Sequence, residues 1–280
     1  MCHRLLCAVC VGGRSYLVPN MVAKPKVDIE RMRFNLDVRE LLELAVLAIG
    51  PYNSGKTYLM ADFLKEQQKE GEIAYLDMAG EKGALSAANF KLGEFGYRVE
   101  TYQELKGVLD YLKGRPLAGV GLDSLPELVA IINKKITGGD LWPDEPSKWN
   151  ELHSTLKAVL KELKTTCPWV FCTTVAAIET DPEHKELTGM TIKYLAPDLP
   201  GKQARFIIGC FDMAGYLEVK KVGPKTSRAF VLDAPARLLV RQRLPNPITE
   251  KIQLGDGPGG WTAIRTRIQR ALDEGGDKDE

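Results

Sequence analysis

The sequence predicts an α/β fold: a mostly parallel sheet with helices on both faces. Three observations carry that expectation. Short runs that are apolar throughout, "LAVLAIG" (44–50) and the core of "PWVFCTTVAA" (168–177), read as strands buried on both sides. Amphipathic stretches of helical period alternate with such runs along the chain. A glycine-rich turn, "GPYNSGKT", joins the first buried strand to the first helix.

The elements follow in order. After the strand 44–50, "KTYLMADFLKEQQKEG" (56–71) reads as a helix closed by a glycine, and "EIAYLDMAG" (72–80) as the second strand. "TYQELKGVLDYLKG" (101–114) opens with Thr101 and Glu104 at capping-box spacing and stops at a glycine. "LAGVGLDSL" (117–125) is another apolar strand. "SKWNELHSTLKAVLKELKTT" (147–166) sets Leu152, Leu156, Leu160 and Leu163 on one helical face. After the strand 168–177, residues 214–243 turn to β-ribbon material: "AGYLEVKKV", "RAFVLDA" and "RLLVRQR", parted by Gly-Pro and Ala-Pro turns. A last helix is expected at about 260–273, before a polar tail, 274–280, expected to be disordered. With no internal repeat and no low-complexity linker, one domain is expected over 21–273. Residues 1–20 read as an upstream extension or a disordered tail, with Met21 a plausible alternative start.

At 280 residues the chain is long enough to bury a sizeable core. Its net charge of +1 announces no field for nucleic acid or acidic membrane, so DNA binding would need a local patch. Six cysteines, at 2, 7, 10, 167, 172 and 210, make neither a disulfide scaffold nor a paired zinc spacing, and point to a reducing, cytoplasmic compartment. His3, Cys7 and Cys10 lack an evident fourth ligand. No apolar run approaches the ~20 residues that span a membrane.

Gly50-Pro51-Tyr52-Asn53-Ser54-Gly55-Lys56-Thr57 fits G-x-x-x-x-G-K-[ST] at every fixed position. Its glycines let backbone N–H groups converge on a phosphate, helped by the N-terminus of the following helix, where Tyr58 is a further nucleotide-binding candidate. Lys56 would reach the β- and γ-phosphates, and the Thr57 hydroxyl would ligate Mg²⁺. The strand "VGLDSL" ends in Asp123, where ligands bind in open α/β sheets, and that carboxylate would hold the metal through water. A capping role for Asp123 on the next helix is the alternative, and the two are compatible. Asp77 and Glu81, at and just past the end of the second strand, are candidates for activating the attacking water. Thr173 and Thr174, ending the strand "WVFCTT", are placed to sense the γ-phosphate.

Taken together, "GPYNSGKT", "AYLDMAGEKG", "VGLDSL" and "WVFCTTVAA" resemble the RecA-like P-loop ATPase core. More narrowly, the chain resembles the phage AAA-type nucleotide-binding proteins that are RecA-like single-strand annealing recombinases. That narrower likeness rests on "PSKWNELHSTLKAVLKEL", on "APDLPGKQARFIIGCFDMAGYLEV" and on "LLVRQRLPNPI", and spans residues 40–272. The resemblance implies an Mg²⁺-dependent, ATP-hydrolysing protein of the cytoplasm (the host's, if phage-encoded). It would bind single-stranded DNA as a ring or filament in phage recombination or replication. In such assemblies a basic residue completes the neighbouring subunit's site, and Lys202 and Arg205 are the candidates. One departure stands out: the catalytic glutamate expected two residues after the strand aspartate is Ala79 here, and Glu81 is displaced by two.

The residues themselves give DNA a partial footing. From Lys202 to Arg243 there are nine Lys/Arg against three Asp/Glu. Lys220, Lys221, Lys225 and Arg228 would form a stripe on the ribbon. The segment 179–201 reads as a mobile loop on which Tyr194 would stack a base. Trp142 and Trp149 are expected as packing residues. Two other classes compete: an assembly or packaging ATPase whose main partner is a protein, and a small-molecule kinase, against which the ribbon-rich C-terminus speaks.

Overall fold

A computed structural model describes residues 8–11, 14–17, 44–78, 83–139, 141–180, 193–200, 203–223, 225–233, 238–255 and 257–273. The chain divides into two compact units at residues 40/41. In the first, β1 (Ala8–Val11) and β2 (Arg14–Leu17) pair as an antiparallel hairpin inside the segment expected to be an extension.

The second unit holds the α/β core. Its elements are β3 (Leu44–Gly50), α1 (Lys56–Gln67), β4 (Glu72–Met78), the short α2 (Ala84–Ala87) and β5 (Gly96–Val99). Then come α3 (Tyr102–Leu112), β6 (Leu117–Asp123), α4 (Leu125–Thr137), α5 (Pro146–Thr166) and β7 (Trp169–Thr180). The chain ends through β8 (Lys193–Pro197), α6 (Gln203–Gly209), β9 (Met213–Val222), β10 (Lys225–Val231), β11 (Arg241–Gln242), β12 (Ile252–Leu254) and α7 (Gly260–Asp273). The ten-stranded sheet runs β12-β10-β9-β3-β7-β6-β4-β5, with β11 on β9 and β8 on β7. From β9 to β5 every pairing in that path is parallel.

The buried strands show why the sheet needs two covers. On β3, Ala45, Leu47 and Ile49 join a core with α3, α4 and α5, whereas Val46 and Ala48 join one with α1 and α7. Alternate side chains point to opposite faces, so a strand apolar throughout must be covered twice. The leucine face of α5 is buried as its spacing requires, and Thr101 with Glu104 closes the expected capping box on α3. With β7 lying between the P-loop strand β3 and the aspartate strand β6, this is the RecA-like P-loop fold.

The ribbon is not an appendage. β9 bonds β3 directly, Val46 opposite Met213 through Ile49 opposite Tyr216, before continuing outward against β10. Asp212 fastens its start: the carboxylate accepts from the Ala45 N–H at 3.0 Å, Lys164 at 2.8 Å and Arg243 at 3.2 Å. At the other end, Asp62 of α1 accepts the N–H groups of Gly259 and of Trp261 at 2.8 Å, capping α7 from a distant element. Trp261 then fills the space between Phe63, Phe171 and Trp169, with ring centroids 4.9, 5.7 and 5.7 Å away and edge-on.

The segment 179–201 differs from the expected loop. β7 runs on to Thr180 and pairs antiparallel with β8, Thr180 opposite Lys193 through Ala176 opposite Pro197. Isoleucine, threonine, tyrosine and leucine on both arms favour strand over loop. Residues 181–192 between the arms, and the tail 274–280, lie outside the described residues.

Candidate functional site

The phosphate loop forms between β3 and α1. Asn53, at φ 60°, and Gly55, at φ 96°, take left-handed backbone that turns the chain back toward the sheet. Gly55 caps α1 without any side-chain acceptor, and the first turn of α1 carries no acidic residue. The orphan N–H groups of that turn therefore suit an anion. Pro51, Tyr52 and Asn53 are exposed on the loop's tip, whereas Ser54 is buried. Lys56 is buried too, its ammonium donating to the carbonyls of Gly50 at 3.0 Å and Pro51 at 2.8 Å. A bound phosphate would compete with those carbonyls for it.

One side of α1 faces the strand ends. The Thr57 hydroxyl donates to one Asp123 carboxylate oxygen at 2.7 Å, and the Thr173 hydroxyl donates to the other. Tyr75, a residue the sequence did not single out, brings its hydroxyl 3.4 Å from the first of these oxygens. Asp123 and Thr173 are almost wholly buried. Asp77 sits opposite Asp123 in the β4–β6 register, so its side chain shares that face of the sheet, with Arg98 at 3.9 Å. Thr174, one residue on, points to the other face and, among the described residues, bonds only the Val175 carbonyl, at 3.4 Å. Of the two candidate sensors, the geometry brings Thr173 alone to Asp123; alternation along the strand decides between them.

Gly83 completes this side. A Cβ there would overlap an Asp123 oxygen and come within 2.6 Å of the Tyr75 hydroxyl, so the chain entering α2 passes directly over the carboxylate. Glu81 lies just before it, outside the described residues.

The opposite side of α1 is different in kind. At 100° per residue, Tyr58, Leu59 and Asp62 fall within about 100° of arc, and Thr57 points roughly the other way. Tyr58 and Leu59 line a cavity of about 220 Å³ with Leu217 and Arg228 from the ribbon and Leu254 from β12. Here a site residue departs from expectation. Arg228 is not part of an outer stripe: its Nε donates to the Ser54 carbonyl at 3.2 Å. The strand period also divides the other members. Lys220 lies opposite Ser227, and Lys221 opposite Thr226, so consecutive lysines take opposite faces. Lys225 and Lys220 share one face; Lys221 shares the other with Arg228. All three lysines are exposed, and Lys220 lies 3.6 Å from Glu218.

Tyr194 falls on β8 opposite Glu179, its side chain outside the described residues. Arg205 is exposed on α6, and Lys202 lies outside the described residues. Trp142 is 46% exposed beside Leu141 at 84%, stacked on Trp149 at 6.2 Å. Trp149 packs on the core as expected; Trp142 does not.

The donor set at Asp123 is a hydroxyl and carboxylates, all hard oxygen ligands, and two neighbouring carboxylates favour a cation between them. Among the described residues no group of three or more His, Cys, Asp and Glu could hold a metal by itself. The set thus fits Mg²⁺, which keeps its waters and shares itself between one or two carboxylates and substrate phosphates. Among the described residues no helix is long and apolar enough to cross a membrane.

No protein-family profile matches the chain. No curated protein matches it either. Among solved structures it is similar to the flagellar accessory protein FlaH from Methanocaldococcus jannaschii, at 14% identity over 68% of this chain and 77% of that one, with a TM-score of 0.41. It is also similar to the KaiC-like protein PH0186 from Pyrococcus horikoshii, at 16% identity over 78% and 88% of the two chains, with a TM-score of 0.45.

Proposed function

We propose that this protein binds and hydrolyses Mg·ATP and uses the cycle to act on single-stranded DNA. The observation that carries the nucleotide part is the join between Thr57 of the phosphate loop, Asp123 and Thr173. Three elements distant in sequence converge there on one buried carboxylate.

The triphosphate lies over the N–H groups of the loop, with Lys56 exchanging its carbonyl partners for phosphate oxygens. Thr57 directly, and Asp123 through water, would hold Mg²⁺, which when bound would supply neutralising charge at the phosphates. Thr173 fixes the rotamer of Asp123. The nucleoside occupies the cavity on the other side of α1, between Tyr58, Leu59 and Leu254, because the metal side is filled by carboxylates and Tyr75. Asp77, buried beside Asp123, and Glu81 are the groups in line to orient the attacking water.

The DNA part rests on the exposed lysines at the ribbon's outer end and on Tyr194, together with the resemblance to single-strand annealing recombinases. A ring or filament would bring Lys202 or Arg205 to a neighbour's nucleotide. A second reading is favoured by one observation: Leu141 and Trp142 form an exposed apolar knob, which suits an assembly ATPase with a protein partner.

The test is steady-state Mg·ATP hydrolysis with and without single-stranded DNA, with Lys56→Ala as control. Stimulation by DNA that disappears in Lys56→Ala supports the proposal. Hydrolysis that ignores DNA but responds to Lys56→Ala keeps the nucleotide site and transfers the case to a protein partner. Absence of hydrolysis and of nucleotide binding sinks both readings.

A further inference from the structure

Arg228 differs in its partner from several other basic side chains of the C-terminal third. Lys251 pairs with Glu218, Arg265 with Glu66, Arg267 with Glu250 and Arg243 with Asp212. Among the described residues Arg228 pairs with no carboxylate, only with the Ser54 carbonyl. Asp62 lines the same cavity, but its oxygens accept the N–H groups of Gly259 and Trp261. The position is close as well as polar. The atoms nearest to a Cβ built on Gly55 are Arg228 Nε at 3.4 Å and Cδ at 3.7 Å, so the arginine stem lies against the loop. A guanidinium has five donor hydrogens, and the bond from Nε leaves both terminal nitrogens for another acceptor. Lys56 is in the same posture, parked on carbonyls of the same loop.

We infer that Arg228 is a nucleotide-binding residue supplied in cis by the ribbon, taking a phosphate oxygen on the cavity side of α1. The inference rests on the reading of residues 50–57 as a nucleotide loop. It gives the ribbon a means of registering occupancy. Arg228 lies opposite Val219, two positions from Leu217 in the same cavity wall, and β9 continues in one direction to β3 and in the other to Lys220 and Lys221. When the guanidinium engages phosphate as well as Ser54, β10 is held to the loop, and the outer ribbon is steadied with it. Planar, bidentate recognition of phosphate is the chemistry for which arginine differs from lysine.

The test uses the full chain and Mg·ADP, with affinity from titration calorimetry and backbone hydrogen exchange over 50–57 and 213–231. Arg228→Gln is expected to bind Mg·ADP about 10- to 100-fold more weakly, the range for a hydrogen bond to a charged group. Arg228→Lys should recover part of that loss. Mg·ADP should slow exchange over 213–231 in the wild type and not in Arg228→Gln. Equal affinities in wild type and Arg228→Gln would overturn the inference and leave the nucleotide loop standing. Failure of the wild type itself to bind, with Lys56→Ala identical to it, would overturn the loop reading and this one with it. Faster exchange over 50–57 in nucleotide-free Arg228→Gln would assign Arg228 to propping the loop, and that too overturns the inference.

Discussion

The two sides of α1 make the most instructive comparison in the molecule. On one, Thr57 of α1 joins Asp123, Thr173, Tyr75 and Asp77, from the adjacent strands β6, β7 and β4, in a compact polar set. On the other, a glycine-edged apolar cavity is walled by the ribbon and by the segment entering α7, both more than 150 residues away in sequence. The first side is held by hydrogen bonds to one buried carboxylate. The second is held by aromatic packing and a helix cap. The polar set and the cavity are thus held by separate structural means, and each is open to being disturbed alone.

The largest disturbance belongs to the packed side. Trp261→Ala removes a fully buried ring from among Phe63, Phe171 and Trp169 and should cost about 3–5 kcal/mol in urea denaturation. Trp261→Phe should cost distinctly less, because among the described residues the indole N–H has no hydrogen-bond partner to lose. If the two variants cost the same, packing around the ring is not what holds this wall.

On the polar side, Gly83→Ala forces a methyl group onto Asp123 and Tyr75. Overpacking of that kind costs about 1–3 kcal/mol. The expected signature is a drop of about tenfold in Mg·ATP hydrolysis, with nucleotide affinity falling less. Unchanged hydrolysis would show that α2 yields without moving the carboxylate, and would blur the contrast between the sides.

The smallest effect expected is that of Asp62→Ala. Losing the cap of α7 should cost about 1 kcal/mol, measured by thermal or urea unfolding. It should weaken Mg·ADP binding through the cavity wall while leaving the polar side intact. A larger loss in hydrolysis than in ADP affinity would mean that the two sides are coupled through α1.

What was legible in the sequence follows this same division. The polar side was readable as a cluster because its groups sit at strand ends or at motif positions. G-x-x-x-x-G-K-T places Lys56 and Thr57 at the start of a helix, and an apolar strand ending in aspartate places Asp123 at the same sheet edge. Tyr75 and Gly83 escaped because nothing local marks them: one is an ordinary strand tyrosine, the other one glycine among 26. Thr173 and Thr174 were inseparable until strand register gave each a face. The hairpin β7–β8 was missed because its sequence lacks a short turn signal near the strand ends.

By itself the sequence determined the periodicities, and with them the doubly covered sheet, the amphipathic helices and the loop that precedes α1. These are local consequences of which side chains alternate and where glycine permits left-handed backbone. Only the tertiary structure decided that Asp62 caps α7, that β9 joins β3, and that Arg228 turns inward to Ser54 while Lys220 and Lys221 diverge. Those outcomes depend on which distant strands pair and in what register. A shift of one residue in β10 would put Arg228 on the opposite face, and no short-range rule fixes that choice.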